Sequence, residues 1–409
     1  MTTLKALASV RVLDFSKVLA GPLCAQYLGD MGADVVKIEP LNEGDDTRRY
    51  PPFLDSGTHH DGTIFLSVNR NKRSFALDLK TDAGRDICHK LVMGADVVIE
   101  SFGPGVAERL GIDHATLMAL NPRLVHCSIS GYGSVGPMKE GKGYDAVLQA
   151  FSGMLSISGE RGGKHARSPF SPVDQGTGLH ALIGILAALF ERTATGKGMR
   201  VEASLFDTSI GFLGYILQGF WANGREPEPP GSSHDSLCPY EVFSTGDKPM
   251  LLGVANDSLW RKFCAVAGAP EVAADPRFTT NALRVANRRE TVATVTALLA
   301  TRGRDDWVKS LGLAGIPCSP VQSLGEMAAH PHTTEGGMLQ KYVHPIYGEL
   351  KTVSQPIKLQ GERNSVMREA PLLGQHTAQI LYESGYSSQE IDELAASGVI
   401  NASAKAVAS

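Results

Sequence analysis

The chain has 409 residues, more than one hydrophobic core usually serves, so two domains or one large domain with an insertion are expected. Its 43% hydrophobic and 20% charged residues and net charge of −4 are those of a soluble globular protein, without the basic excess that binding nucleic acid by charge requires. Cys24, Cys88, Cys127, Cys238, Cys264 and Cys318 follow no metal-ligand spacing and sit among apolar neighbours, which reads as reduced core thiols in a cytoplasmic protein with no metal site.

In chain order, MTTLKALASVRVLDF has too short an apolar run before Arg11 and Asp14 for a secretory signal, and leads into a first strand. Short β-branched runs then alternate with helical patterns: RVLDF, PLCAQYLGDMG, DVVKIE, SFALDL, GRDICHKLVMG, DVVIESF and LVHCSISGYG. This alternation predicts βαβ units, hence an α/β, Rossmann-like large domain with a parallel sheet. Gly32 and Gly94 stand where left-handed helix C-caps suit them. The first strand-to-helix turn, SKVLAGPL, contains no GxGxxG, which disfavours NAD or FAD in the usual mode. GxxxxGK[ST], GxSxG and HExxH are absent as well.

Residues 171 to 186 read SPVDQGTGLHALIGIL. Asp174 ahead of so apolar a run is either a helix cap or a nucleophile, and local sequence favours the cap. The apolar stretch GLHALIGILAALFE is broken by His180 and closed by Glu191, short of the ~20 residues that span a bilayer, so a buried helix and no membrane segment are predicted. RVEASLF reads as a strand and TSIGFLGYILQGFWANG as one long amphipathic helix, followed by a linker, REPEPPGSSHDS. PYEVFSTGDKPMLLGVAN then reads as a hairpin turned at TGDK, and WRKFCAVAG and RETVATVTALLATRG as helices, which make a smaller α+β domain. Residues 371 to 400 read as helical, and NASAKAVAS as a fraying end.

Several residues outside that stretch suit chemistry. In ESFGPGVAERLGI, Phe102 at a strand end and Arg109 beyond it suit a ring and phosphates, although each alone reads as core and as a solvated charge. Arg70, Lys72 and Arg73 form a basic run, with Lys80 beyond, that suits either a solvated face or a polyanion. Lys142, Tyr144 and Asp145 enter a helix that Asp145 starts. His180 reads as a satisfied buried histidine.

Over nearly its full length the chain resembles the class III CoA-transferases, the CaiB/BaiF family that includes formyl-CoA transferase and carnitine CoA-transferase. The resemblance is carried by RVLDFSKVLAGP, GADVVKIEP with GDDTR, NRNKRSFALDLK, ADVVIESFGPG with ERLG, NPRLVHCSISGYG, VDQGTG, TGKGMRVEASLFD, GIPCSPV and APLLGQHT. It implies that Asp174 is the nucleophile of a CoA transfer from an acyl-CoA donor to a carboxylic acid acceptor, through aspartyl anhydride and aspartyl-CoA thioester intermediates, with no permanently bound cofactor. Gly176 and Gly178 then suit either backbone stabilisation of an oxyanion or close helix packing at a left-handed turn.

The same resemblance places Val18, Leu19, Ala20 and Pro40 along the CoA site, with Leu77 to Lys80 at its adenosine end. It puts Ser101, Phe102 and Gly103 on the nucleotide, Arg109 and Lys142 toward phosphates, and Tyr50 and Tyr144 near the acyl group or acceptor. It further implies an interlocked homodimer, with a large domain of residues 1–222 completed by 346–409 and a small domain with linkers of 223–345. Leu19 stands where formyl-CoA transferase has glutamine, and that enzyme's small-domain glycine loop has no counterpart near PYEVFSTGDKPM, which points to an acceptor larger or less polar than oxalate, a C4 or C5 dicarboxylate. The alternatives are α-methylacyl-CoA racemase, whose Gly-His-Asp is here Gly143, Tyr144, Asp145, and a non-catalytic acyl-CoA-binding protein.

Overall fold

The computed structural model describes residues 5–57 and 59–401, so residues 402–409 of the tail expected to fray lie outside the described residues. The chain forms two compact units. One comprises the chain up to Ser152, Ser168–Gln218 and the chain from Pro331 onward, and the other Gly153–Arg167 and Gly219–His330. Residues 153–167 thus cluster with the second unit and 331–345 with the first, opposite to the sequence-based boundaries.

The first unit is built on six strands: β1 (Arg11–Asp14), β2 (Asp34–Glu39), β3 (Lys72–Ala76), β4 (Val97–Glu100), β5 (Val125–Ser130) and β6 (Arg200–Ser204). All pair in parallel, in the order β3-β2-β1-β4-β5-β6, with Val12 opposite both Val35 and Val97. The central strands β1, β2 and β4 are rich in Val, Leu and Ile because helices cover both faces of the sheet. On one face Leu13, Val36, Phe75 and Val98 pack with Ile87 and Leu91 of α2 (Asp82–Met93). Ile380, Ile391 and Ile400, from the helices Thr377–Glu383 and Ser388–Ala396 and the turn after them, complete that core. The continuous helical segment expected over 371–400 is therefore two short helices, and its end returns to β3, where the Asp78 amide bonds to the Val399 carbonyl at 2.9 Å.

Arg70, Lys72 and Arg73 are all buried, paired with Asp30, Asp14 and Asp34, so they form neither a solvated face nor an open polyanion site. The C-terminal segment covers the edge strand β3, with Glu383 as a second partner of Arg73 at 2.7 Å.

The other sheet face carries α1 (Ala20–Asp30) and α5 (Pro172–Thr195); between them in sequence lie α3 (Val106–Leu110) and α4 (Asp145–Phe151), and α6 (Leu205–Phe212) follows. At 24 residues α5 exceeds the sequence expectation and is long and apolar enough by composition to cross a membrane; in the fold it packs against α1, α6, β5 and β6. The single helix expected over TSIGFLGYILQGFWANG breaks at Leu213, between Gly211 and Gly214. Glycine's cost in a helix interior makes this the cheap place to turn. Gly32 has φ +101°, as a left-handed C-cap requires, but Gly94 closes α2 at φ −104°, outside that region.

The second unit holds the TGDK-turned hairpin of Tyr240–Ser244 and Pro249–Gly253, joined by Cys318–Pro320 into an antiparallel sheet. Helices Asp257–Val266, Arg288–Leu299 and Arg304–Leu313 pack on it around Trp260, Phe263 and Trp307. All six cysteines are free, and all but the partly buried Cys318 are buried.

Candidate active site

Strand order in the sheet reverses between β1 and β4, and at such a switch the loops leaving the two strands diverge and open a cleft at their carboxyl ends. Two cavities lie there. One of about 320 Å³ is walled by the loop after β1 (Lys17, Val18, Leu19), the start of α1 (Ala20), the loop after β4 (Ser101, Phe102, Gly103), Lys142, Tyr144 and Asp174. The second, of about 500 Å³, is bounded by Pro40 and by Leu77, Asp78, Leu79 and Lys80. Lys17 and Phe102 line both, so the two make one cleft running from Asp174 to Lys80.

Asp174 is not the residue before the helix. Pro172 occupies the first helical position, which puts Asp174 in the third, and Ser171 precedes the helix in a left-handed conformation without a side-chain cap. The cap is supplied by Asp145, whose Oδ2 accepts the backbone N–H groups of Val173 at 2.9 Å and Asp174 at 3.1 Å. Gln149, one turn further along α4, donates to the other oxygen of Asp145. With the helix-terminal donors taken by Asp145, the Asp174 carboxyl is free to face the cavity.

Burial, and secondarily the like charge of Asp145, push the Asp174 carboxyl up to about 7. Desolvation thus opposes the charged form although the carboxyl stands in the first turn of α5. The reading of His180 as buried is corrected: it is exposed, with Nδ1 3.0 Å from Thr208 Oγ1. No histidine lines the cavity of Asp174 among the described residues.

Neither Gly176 nor Gly178 has a left-handed backbone. A Cβ at Gly178 would stand 2.5 Å from the Ala20 carbonyl oxygen, and one at Gly176 2.3 Å from Phe212 Cζ. The two glycines therefore let α5 lie directly against α1 and α6, and no left-handed turn is involved.

The fold brings Val18, Leu19, Ala20, Ser101, Phe102, Gly103, Lys142, Tyr144 and Asp174 to the first cavity, and Pro40, Leu77 and Lys80 to the second. Arg109 lines neither; it is exposed on α3. Tyr50 is exposed as well, 42% accessible, outside both cavities, although near enough for Asp46 and Tyr144 to add to burial in raising its phenol. Sequence reasoning missed Lys17, Lys139 and Asp46, which line the first cavity. The rule that selected Phe102, position at the carboxyl end of a strand, applies equally to Lys17. The partnership of Asp145 with α5 has no sequence signal, since it joins residues 28 and 29 positions apart.

The family model for CoA-transferase family III matches residues 7–377 of the chain. The succinyl-CoA:glutarate CoA-transferase of Mus musculus is 35% identical, the alignment covering 97% of this chain and 91% of that protein. The acetyl-CoA:oxalate CoA-transferase of Acetobacter aceti is 37% identical over 86% of this chain and 88% of its own. A crystal structure of a CaiB/BaiF family protein from Brucella suis superposes with a TM-score of 0.84 at 34% identity, covering 92% of this chain and 98% of that one. With a cleft at the sheet's switch point and relatives of this kind along almost its whole length, the chain belongs to CoA-transferase family III and is a CoA-transferring enzyme that takes acyl-CoA as substrate.

Proposed function

We propose that Asp174 is the nucleophile of this transfer and that donor and acceptor are C4 or C5 dicarboxylic acids. The observation that carries the first part is the place of Asp174: a partly buried carboxyl at one end of a cleft long enough to extend to Lys80. CoA lies along the cleft with its adenosine end between Pro40 and Leu77–Lys80, its phosphates near Lys17 and Lys142, and its thioester at Asp174. Burial that raises the carboxyl's pKa also raises its basicity, and so its nucleophilicity once it is ionised.

An Asp174 oxygen attacks the donor thioester carbonyl; the C–S bond breaks, leaving an acyl-aspartyl anhydride and CoA thiolate. The thiolate attacks the aspartyl carbonyl, the bond from the aspartyl carbon to the bridging oxygen breaks, and that oxygen leaves with the donor acyl group as the donor carboxylate, giving an aspartyl-CoA thioester. The acceptor carboxylate attacks that thioester and expels thiolate, giving a second anhydride. Thiolate then takes the acceptor's acyl group and restores the Asp174 carboxylate. Each step trades one activated acyl bond for another, so covalent catalysis divides a hard exchange into easier ones.

Leu19 at the cavity wall, in place of a polar residue, and the dicarboxylate named for the mouse relative support a C4 or C5 acceptor. The absence of a histidine from the described lining of this cavity argues against proton abstraction next to the thioester, the racemase reading. Incubation with succinyl-CoA and a panel of carboxylates, followed by separation of the CoA esters, tests the substrates. Glutaryl-CoA formation is expected, and no exchange with any acid would sink the proposal. Hydroxylamine added after the donor is expected to leave a hydroxamate at Asp174 alone, and a label at any other residue would refute the nucleophile.

A further inference from the structure

The loop after β1 is held by side chains at three consecutive backbone positions. The N–H of Ser16 donates to Asp14 Oδ1 at 3.0 Å, that of Lys17 to Ser101 Oγ at 3.0 Å, and that of Val18 to Asp45 Oδ1 at 3.3 Å. Val18 has φ +70°, a left-handed conformation that a β-branched side chain adopts only under strain. Strain of this kind persists only where surrounding structure over-determines it. Here the strained residue directly precedes Leu19 and Ala20 on the wall of the cavity that Asp174 faces.

Asp45 belongs to a buried chain of charges. Its Oδ2 pairs with Lys37 Nζ at 2.9 Å, and Lys37 also donates to the Ser16 carbonyl at 2.9 Å. Lys72 pairs with Asp14 at 2.9 Å. Two lysines and two aspartates, all fully or nearly fully buried, thus grip the loop from beneath and balance one another's charge. Asp45 Oδ1 also accepts the N–H and hydroxyl of Thr47, at 2.9 and 2.7 Å, which fixes the carboxylate's direction. Burial alone would raise this carboxyl, but Lys37 and the Thr47 donors bring it down to about 2, so it stays charged at every working pH.

We infer that Asp45 is a positioning residue for CoA transfer: it holds Val18 left-handed, and thereby keeps the Val18–Ala20 wall in register with Asp174. The inference rests on the proposed reaction at that site only for its readout. Its chemical content is that the buried carboxylate acts through one backbone N–H, and that only a residue strained at φ > 0 needs it.

Glycine adopts that φ without strain, so the test is a double-mutant cycle between Asp45→Asn and Val18→Gly, in CoA exchange, with melting temperature measured in parallel. In the native background Asp45→Asn is expected to lower kcat at least tenfold with a smaller change in KM for the acyl-CoA. In the Val18→Gly background the same substitution is expected to cost at most threefold. An equal cost in both backgrounds would overturn the inference, since a general loss of stability would not depend on residue 18. If Asp45→Asn does not fold, Val18→Pro decides: proline cannot take positive φ and has no N–H for Asp45 to accept, and a hundredfold loss of kcat is expected, well beyond any loss of the folded fraction followed by circular dichroism. Full activity of Val18→Pro would overturn the inference. Loss of all exchange by the native enzyme would instead refute the transferase reading, and hydroxylamine labelling away from Asp174 the nucleophile assignment, leaving the conformational role of Asp45 to be read from amide exchange at Val18.

Discussion

At the scale of single residues, the proposed chemistry turns on the carboxyl of Asp174, which burial pushes up to about 7. Since the proposed attacking species is the carboxylate, kcat/KM is expected to rise with pH through about 7 and level off above it. Asp145→Asn removes the like charge and is expected to move that inflection toward acid. It will stop short of the ordinary carboxylate range, because burial is the larger cause. An inflection unchanged in the variant would show that Asp145 does not tune Asp174. Stability carries the same signature. Between about 4, the carboxylate's ordinary range, and its folded value, the folded chain holds a proton that the unfolded chain has released, so stability falls as pH rises through that window. Asp174→Asn is therefore expected to unfold like the native enzyme below that window and to be more stable by about 2 kcal/mol above it, the full shift being discounted for partial exposure. Urea titrations at pH 4 and pH 8 measure the difference.

At the scale of elements, the seating of α5 decides where Asp174 points. The two glycines after it differ in what opposes a side chain there. At Gly178 the obstacle is the backbone carbonyl of Ala20, which cannot move without shifting α1; at Gly176 it is the tip of the Phe212 ring, which can rotate. Gly178→Ala is thus expected to cost about 2–3 kcal/mol, the upper part of the range for overpacking, and Gly176→Ala less than about 1. Denaturant midpoints for the two variants check the order, and equal costs would contradict the packing account. The alternation of strands and helices was legible because both carry short-range periodicity. The length of α5 was not: His180 looked like an interruption, yet a helix accepts a polar residue on an exposed face at little cost. The break at Leu213 was also hidden, since the apolar period continues across it.

At the scale of the whole molecule, α5 leaves apolar side chains uncovered. Leu179, Ile183 and Phe190 are 42%, 63% and 79% exposed, and Tyr215 beyond α6 is 82% exposed. Large side chains spaced along one helix face in this way mark an association surface in a chain that otherwise buries its core. They support the interlocked homodimer that the family resemblance implied, which we retain as a proposal. Sedimentation at micromolar concentration is expected to give twice the chain mass of 43.6 kDa, and Ile183→Glu to shift it toward the single chain. Because Ile183 is mostly exposed in one chain, that substitution costs the isolated fold little, and a native monomer would refute the proposal.

The sequence by itself determined the family, the parallel βαβ order and most, though not all, residues of the cleft, because these are written in local periodicity and in ordered motifs. Only the tertiary structure decided what those residues do to one another. The basic run at Arg70–Arg73 became a buried set of ion pairs with Asp30, Asp14 and Asp34, to which the C-terminal segment adds Glu383. Asp174, which read as a helix cap, proved to be a carboxyl freed from capping by Asp145 and pushed up to about 7 by its burial. Capping partners, desolvation and like-charge neighbours are set by distances across the fold, and sequence spacing does not encode them.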